Sequence, residues 1–304
     1  MKSVLRNCRG VLVFAALTVN TLIWFTPIFL LAIVKLLVPI AAFRRALTRI
    51  LMWLGENWVS VNRLVLAGSG SMQWSAVGLD GLQKEGWYLV LANHQTWVDI
   101  IVLQTVFNRR IPFLKFFIKQ ELIWFPVLGV AWWAFDMPFM KRHSPSYLAK
   151  HPEQKGNDLE ATRKACEKFR HTPTTVINFI EGTRFSETKR DARKSPYANL
   201  LSPRAGGIAV ALGSMGELFD KILDVTIVYP DGVPEFWAMC CGERVNMRMD
   251  VQVLQVESFL LAGNYEEDRE FRRRMHQWLS DLWRAKDQRI ESMRGNSQSA
   301  GPLA

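Results

Sequence analysis

Twenty-five consecutive residues near the N-terminus, Gly10–Val34 (GVLVFAALTVNTLIWFTPIFLLAIV), carry no charge, and between Arg9 and Arg44 the sole charged side chain is Lys35. A helix needs about 20 apolar residues to cross a hydrocarbon layer, so this run is long enough to do so. It does not read as a cleavable signal peptide: the apolar region is too long, and no small-x-small site follows before Lys35. Pro27 interrupts the run, and its flanks are equally basic, with Lys2, Arg6 and Arg9 before it and Arg44, Arg45 and Arg49 after it. A single span carries a Lys/Arg bias between its two sides. The tie points instead to a helix–break–helix that dips into one leaflet and returns, leaving both ends cytoplasmic, in preference to one or two full spans. A second apolar patch, Leu122–Met140, contains Asp136, Pro126 and Pro138 and reads as an interfacial or buried surface.

The chain has 304 residues, enough for one large α/β domain or two small ones with a substantial core. Its apolar and aromatic content excludes a disordered chain. Twelve Trp lean toward lipid contact, and a formal charge of +10 predicts attraction to polyanions without choosing among nucleic acid, anionic lipid and phosphorylated substrate. Cys8, Cys166, Cys240 and Cys241 show no metal-ligand spacing, and a reduced, cytosol-facing location is expected.

From residue 80 onward, strand-like and helix-like runs alternate. Trp87–Ala92, Ile111–Phe117, Thr174–Phe179, Val225–Tyr229 and Val251–Val256 read as strands. Asp158–Phe169, capped by Asn157 with Glu160 in capping-box spacing, Ala205–Leu218 and Tyr265–Met293 read as helices. The last opens with Asn264 and Glu267 in the same spacing and places Phe271, Met275, Trp278, Leu282 and Trp283 on one stripe. The expected fold is α/β: a mixed central sheet flanked by helices, behind an N-terminal membrane-embedded helical segment. Residues 1–50 form the anchoring segment, 51–294 the catalytic domain and 295–304 a disordered tail.

Two constellations carry chemistry. Asn93-His94-Gln95-Thr96-Trp97-Val98-Asp99 follows an apolar strand and opens an apolar helix, the kind of turn where α/β folds expose reactive groups. A neutral imidazole can take a proton from an alcohol, and a carboxylate on its other nitrogen fixes the tautomer. His276 and Asp281 have the same spacing, but inside a continuous helix they point apart and read as surface residues. The second constellation, Phe179-Ile180-Glu181-Gly182-Thr183-Arg184, also follows a strand. Its glycine permits close backbone approach and its arginine offers a planar fork for phosphate. Lys189, Arg190, Arg193, Lys194 and Arg204 keep that neighbourhood positive.

Together the two motifs resemble those of the lysophosphatidate (1-acylglycerol-3-phosphate) acyltransferase superfamily, closest to the branch of lysocardiolipin acyltransferases and similar bacterial inner-membrane proteins. N-H-x4-D is intact as Asn93, His94 and Asp99; F-P-E-G-T-R is present with Ile180 in place of proline. Gly129 with Phe139, Met140, Lys141 and Arg142 approximates the second family motif, and Val225–Pro230 the fourth. The resemblance implies a membrane-bound enzyme moving a fatty acyl group from acyl-CoA or acyl carrier protein, with no further cofactor, to the hydroxyl of a lysophospholipid. His94 and Asp99 would be catalytic, with Glu181, Gly182, Thr183, Arg184, Arg142 and Lys119 on the acceptor. It further implies an anionic phospholipid membrane as partner and a bacterial inner-membrane location with the catalytic domain in the cytoplasm. Residues around Trp124–Phe139 could line an acyl tunnel, but their spacing fits core packing. The competing reading from another class is a basic membrane-associated nucleic-acid binder; against it, the Lys and Arg are dispersed and no stacking-aromatic module is present.

Overall fold

The strand that anchors the site is Tyr88–Ala92 (β2), whose five residues YLVLA are all buried. Alternate side chains serve opposite faces, Tyr88, Val90 and Ala92 on one and Leu89 and Leu91 on the other, which suits a strand covered on both sides. The computed structural model describes residues 2–125, 128–140, 162–164, 166–265 and 267–295.

Among these residues a six-stranded mixed sheet forms the centre, in the order β1 (Met72–Val77), β8 (Val245–Gln255), β7 (Lys221–Val228), β2, β6 (Thr175–Phe179) and β3 (Leu114–Phe116). Every neighbouring pair is parallel except β7 and β8. A two-residue pair, β4 (Ile118–Lys119) with β5 (Phe139–Met140), lies apart. The expected mixed α/β fold is present. Strand β1 was not anticipated, because an edge strand reading MQWSAV lacks an apolar run and alternates only in exposure. Strand β8 begins six residues earlier than periodicity suggests, since its first half pairs with β1 and its second half with β7.

Helix α3 (Val98–Phe107) packs Val98, Val102 and Val106 against Val90, Leu223 and Met247 on one face. The opposite face carries Ile208 and Leu212 from a helix at Ala205–Met215 and the C-terminal helix Arg269–Gly295. That last helix starts four residues later than its Asn264 signal suggests, because the Asp268 carboxylate caps it by accepting from the N–H groups of Glu270 and Phe271. Its buried stripe is Phe271, Met275, Leu279, Trp283, Lys286 and Ile290. Of the expected helix Asp158–Phe169, residues 158–161 and 165 lie outside the described residues, as does the tail beyond residue 295; residues 162–164 are helical, and Glu167–His171 forms a 3-10 turn.

The N-terminal segment departs from expectation. Helix α1 (Lys2–Leu37) runs unbroken through Pro27, and the chain reverses at residues 38–40 before helix α2 (Ala41–Gly68). The hairpin therefore exists, but its corner is Val38-Pro39-Ile40, where proline lacks the N–H that would continue a helix. Helix α2 passes straight through residue 50. Asn20 Nδ2 donates to the Trp58 carbonyl (3.1 Å) and to Asn62 Oδ1 (2.9 Å), pinning the two helices together. Ser3–Leu37 is long and apolar enough to cross a membrane by length and composition, with a mean hydropathy of 2.0. Its inner face packs against the protein through Val13, Ile28 and Ala32, while Leu12, Leu22, Ile23 and Leu30 face outward. Lys35, the lone charge of the first apolar run, lies 2.7 Å from Asp136, the lone charge of the second.

Candidate active site

Both motif loops leave the sheet at the same edge. His94 sits two residues beyond β2, and Glu181 two residues beyond the adjacent parallel β6. The edge is drawn together by the Asn93 side chain, which pairs with the backbone of Ile227 in β7: Nδ2 donates to its carbonyl (2.9 Å) and Oδ1 accepts its N–H (2.8 Å). An amide side chain thereby continues the ladder where β2 stops. Gln95 Nε2 donates to the same carbonyl.

His94 Nδ1 lies 2.8 Å from Asp99 Oδ2. Asp99 is fully buried in the first turn of α3, and the same oxygen accepts the N–H groups of Gln95 (2.6 Å) and Thr96 (2.9 Å). Its other oxygen accepts the Tyr229 hydroxyl at 2.7 Å. The carboxylate is the acceptor for all four donors around it, and its bond to Nδ1 assigns the ring proton there, leaving Nε2 with a free lone pair. The His94 ring stacks on Phe179, with centroids 4.0 Å apart and planes at 17°. Burial, followed by the nearby Asp99 charge, pushes the Tyr229 hydroxyl well above the usual phenol range, so it remains a donor. Tyr229 is a site residue to which the sequence assigns no role, although it lies within the fourth motif, Val225–Pro230, at the end of an apolar strand.

Glu181 falls elsewhere than expected. Its carboxylate is buried and is not presented to a ligand; it accepts the backbone N–H of His94 (2.9 Å) and of Leu201 (2.8 Å). Desolvation raises it from 4.5 to about 7, opposed by these two hydrogen bonds and by Lys286. Glu181 is a brace between the two loops. A second link runs from the Phe185 N–H to the His94 carbonyl (2.7 Å). Gly182 adopts φ +67°, so glycine is favoured by conformation, and a Cβ there would lie 3.0 Å from the Arg204 side chain, which would have to shift.

Arg184 is exposed and lies over the Trp97 ring, 5.3 Å from guanidinium carbon to centroid. Trp97 belongs to the His94 loop, so this cation–π contact ties the guanidinium of one motif loop to the other. Lys189 Nζ donates to Thr183 Oγ1 (3.2 Å) and to the Arg184 carbonyl (2.9 Å), fixing the loop from below. Lys119 lies in β4, paired with Met140, and its side chain falls outside the described residues, as do Lys141 and Arg142 entirely. Of the Trp124–Phe139 stretch, Ala134, Phe135 and Met137 are core, whereas Trp124 is exposed. The decoy pair separates as geometry requires: His276 Nε2 meets the Tyr265 hydroxyl, and Asp281 pairs with Gln277 and Arg284.

Residues 75–229 match the Acyltransferase family, an interval holding both loops, Asp99 and Tyr229. Among curated proteins, the chain is 29% identical over 155 residues to mouse 1-acyl-sn-glycerol-3-phosphate acyltransferase epsilon, covering 46% of this chain and 40% of that protein. It is 24% identical over 220 residues to the human gamma enzyme, covering 68% of this chain and 54% of that one. The chain thus spans about half the length of these relatives or less. A crystal structure of the 1-acyl-sn-glycerophosphate acyltransferase PlsC from Thermotoga maritima shares the fold over 98% of this chain and all of that one, with a TM-score of 0.55 and 14% identity. Motif set and matched interval agree: the chain belongs to the Acyltransferase family.

Proposed function

We propose that this protein transfers a fatty acyl group from a thioester, acyl-CoA or acyl carrier protein, to the free hydroxyl of a lysophospholipid such as lysophosphatidate. The observation that carries the reading is the 2.8 Å contact between His94 Nδ1 and a buried, fully hydrogen-bonded Asp99. It leaves Nε2 as a proton acceptor at an edge where an arginine waits for phosphate.

In the reaction, Nε2 accepts the acceptor's hydroxyl proton as the oxygen attacks the thioester carbonyl carbon. Asp99 stabilises the imidazolium so formed. The tetrahedral intermediate then expels the thiolate, which takes the proton from His94, and the new ester is released. Arg184, together with Arg142 and Lys119, binds the acceptor phosphate, so binding and proton transfer are assigned to different side chains. Glu181 and Gly182 set the backbone that joins them. The outward apolar face of α1 supports residence at a membrane, and its reversal into α2 suits a hairpin held within one leaflet. We further propose that the membrane is a bacterial inner membrane with the catalytic edge toward the cytoplasm, a reading supported by the motif resemblance and by basic residues on both flanks of the apolar run.

The test is acyl transfer to lysophosphatidate by the purified full chain. His94→Ala should lower kcat by about 10²–10⁴-fold without altering folding. Near-normal turnover in that variant would remove His94 from the chemistry.

A further inference from the structure

A cavity of about 380 Å³ opens beside the corner between α1 and α2. Among the described residues, its lining carries the basic side chains of Lys35, Arg44, Arg45, Lys115 and His171 and the carboxylate of Asp136. That carboxylate is already engaged by Lys35 at 2.7 Å and by the Thr48 hydroxyl at 2.9 Å. Lys35 and Lys115 are each only 2% exposed, so this is a recess with positive walls and not a scatter of surface charge. The first turn of α2, which holds Arg44, contains no acidic residue, and the helix dipole adds to the positive potential there.

The cavity is not part of the catalytic edge. Phe169 and Thr172, which also line it, precede β6, whereas Glu181–Arg184 follow that strand. A five-residue strand at about 3.3 Å per residue separates the two by roughly 16 Å. The surroundings indicate what enters it. Leu36, Leu37, Ile40 and Phe43, beside the lining residues along the chain, are all exposed large apolar side chains. A cationic recess next to exposed apolar surface suits an amphiphile whose anionic group goes in while its chains lie along the helices.

We propose that this cavity binds the phosphate of an anionic phospholipid headgroup, as a site separate from the one that takes the acyl acceptor. The inference does not depend on the acyl-transfer reading, since its test reads binding.

Thermal unfolding of the full chain in neutral detergent would be followed while adding dihexanoyl-phosphatidylglycerol, dihexanoyl-phosphatidylcholine or inorganic phosphate. The expected result is a saturable rise in Tm with phosphatidylglycerol, little with phosphatidylcholine, and a smaller, weaker rise with inorganic phosphate. The double variant Arg44→Ala/Arg45→Ala, whose side chains are exposed, should fold normally and bind phosphatidylglycerol at least tenfold more weakly. Arg49→Ala, exposed on the same helix but outside the cavity, should bind like the wild type. Equal weakening by Arg49→Ala would mean diffuse surface charge and overturn the site. So would an undiminished shift in the double variant, or an equal shift with phosphatidylcholine. Inorganic phosphate acting as strongly as the lipid would overturn the lipid assignment. A steep rise in acceptor KM in the double variant would overturn the separation from the catalytic site.

Discussion

Glu181 accepts the backbone N–H of His94 at 2.9 Å, so the carboxylate of one motif positions the catalytic residue of the other. This contact gives a pH signature. With a carboxyl raised from 4.5 to about 7, chiefly by burial, the folded state holds a proton that the unfolded state has lost over that interval. Glu181 thus favours folding fully below pH 4.5, and its contribution disappears as pH rises through 7, by an upper bound of about 3 kcal/mol. Chemical denaturation of wild type and Glu181→Gln between pH 4 and 8 isolates the effect. Wild type should lose stability relative to the variant across this window; parallel curves would refute the shifted titration.

Tyr229→Phe removes one of the donors to Asp99 and leaves a buried carboxylate oxygen without its partner. The expected cost is about 1–3 kcal/mol, read as a roughly 5- to 150-fold fall in kcat with acceptor KM little changed. Steady-state kinetics on lysophosphatidate check it. A change confined to KM would place Tyr229 at the acceptor instead.

Lys286→Met tests the buried charges beneath the site. Lys286 Nζ lies 2.7 Å from Asp224 Oδ1 and donates to the carbonyls of Leu91, near the end of β2 that leads into the His94 loop, and Val225 in the adjacent β7. Arg289 reaches the other Asp224 oxygen at 3.0 Å. Losing one partner of a buried pair costs about 3–5 kcal/mol, so urea unfolding should register a large loss. Adding Asp224→Asn should recover part of it; no recovery would show that the pair is not the source.

Arg184→Ala should raise acceptor KM by about tenfold or more, the value of a charge-assisted hydrogen bond, while kcat falls much less. Trp97→Ala, which removes the ring beneath the guanidinium, should move KM in the same direction by a smaller factor. An acceptor lacking phosphate should be insensitive to both. Equal effects on it would free Arg184 from the phosphate role.

Local pattern determined the apolar N-terminal segment and most strands of the mixed sheet, because period and length are written in consecutive residues; for His94 and Asp99 it offered a candidate pair, since His276 and Asp281 share the spacing, and the fold brought the first pair to 2.8 Å. The sequence also named Arg184, since a strand–turn–arginine arrangement needs no distant partner to be recognised. Tertiary structure decided what depends on residues far apart in the chain. It carried α1 through Pro27 and moved the hairpin corner to residues 38–40, where packing against α2 outweighs the local proline signal. It turned Glu181 inward to the amides of His94 and Leu201, brought Tyr229 to Asp99 across 130 residues, and set Lys286 into a stripe otherwise apolar. A buried polar side chain is stable only where its partner arrives, and the arrival of a partner is a property of the fold.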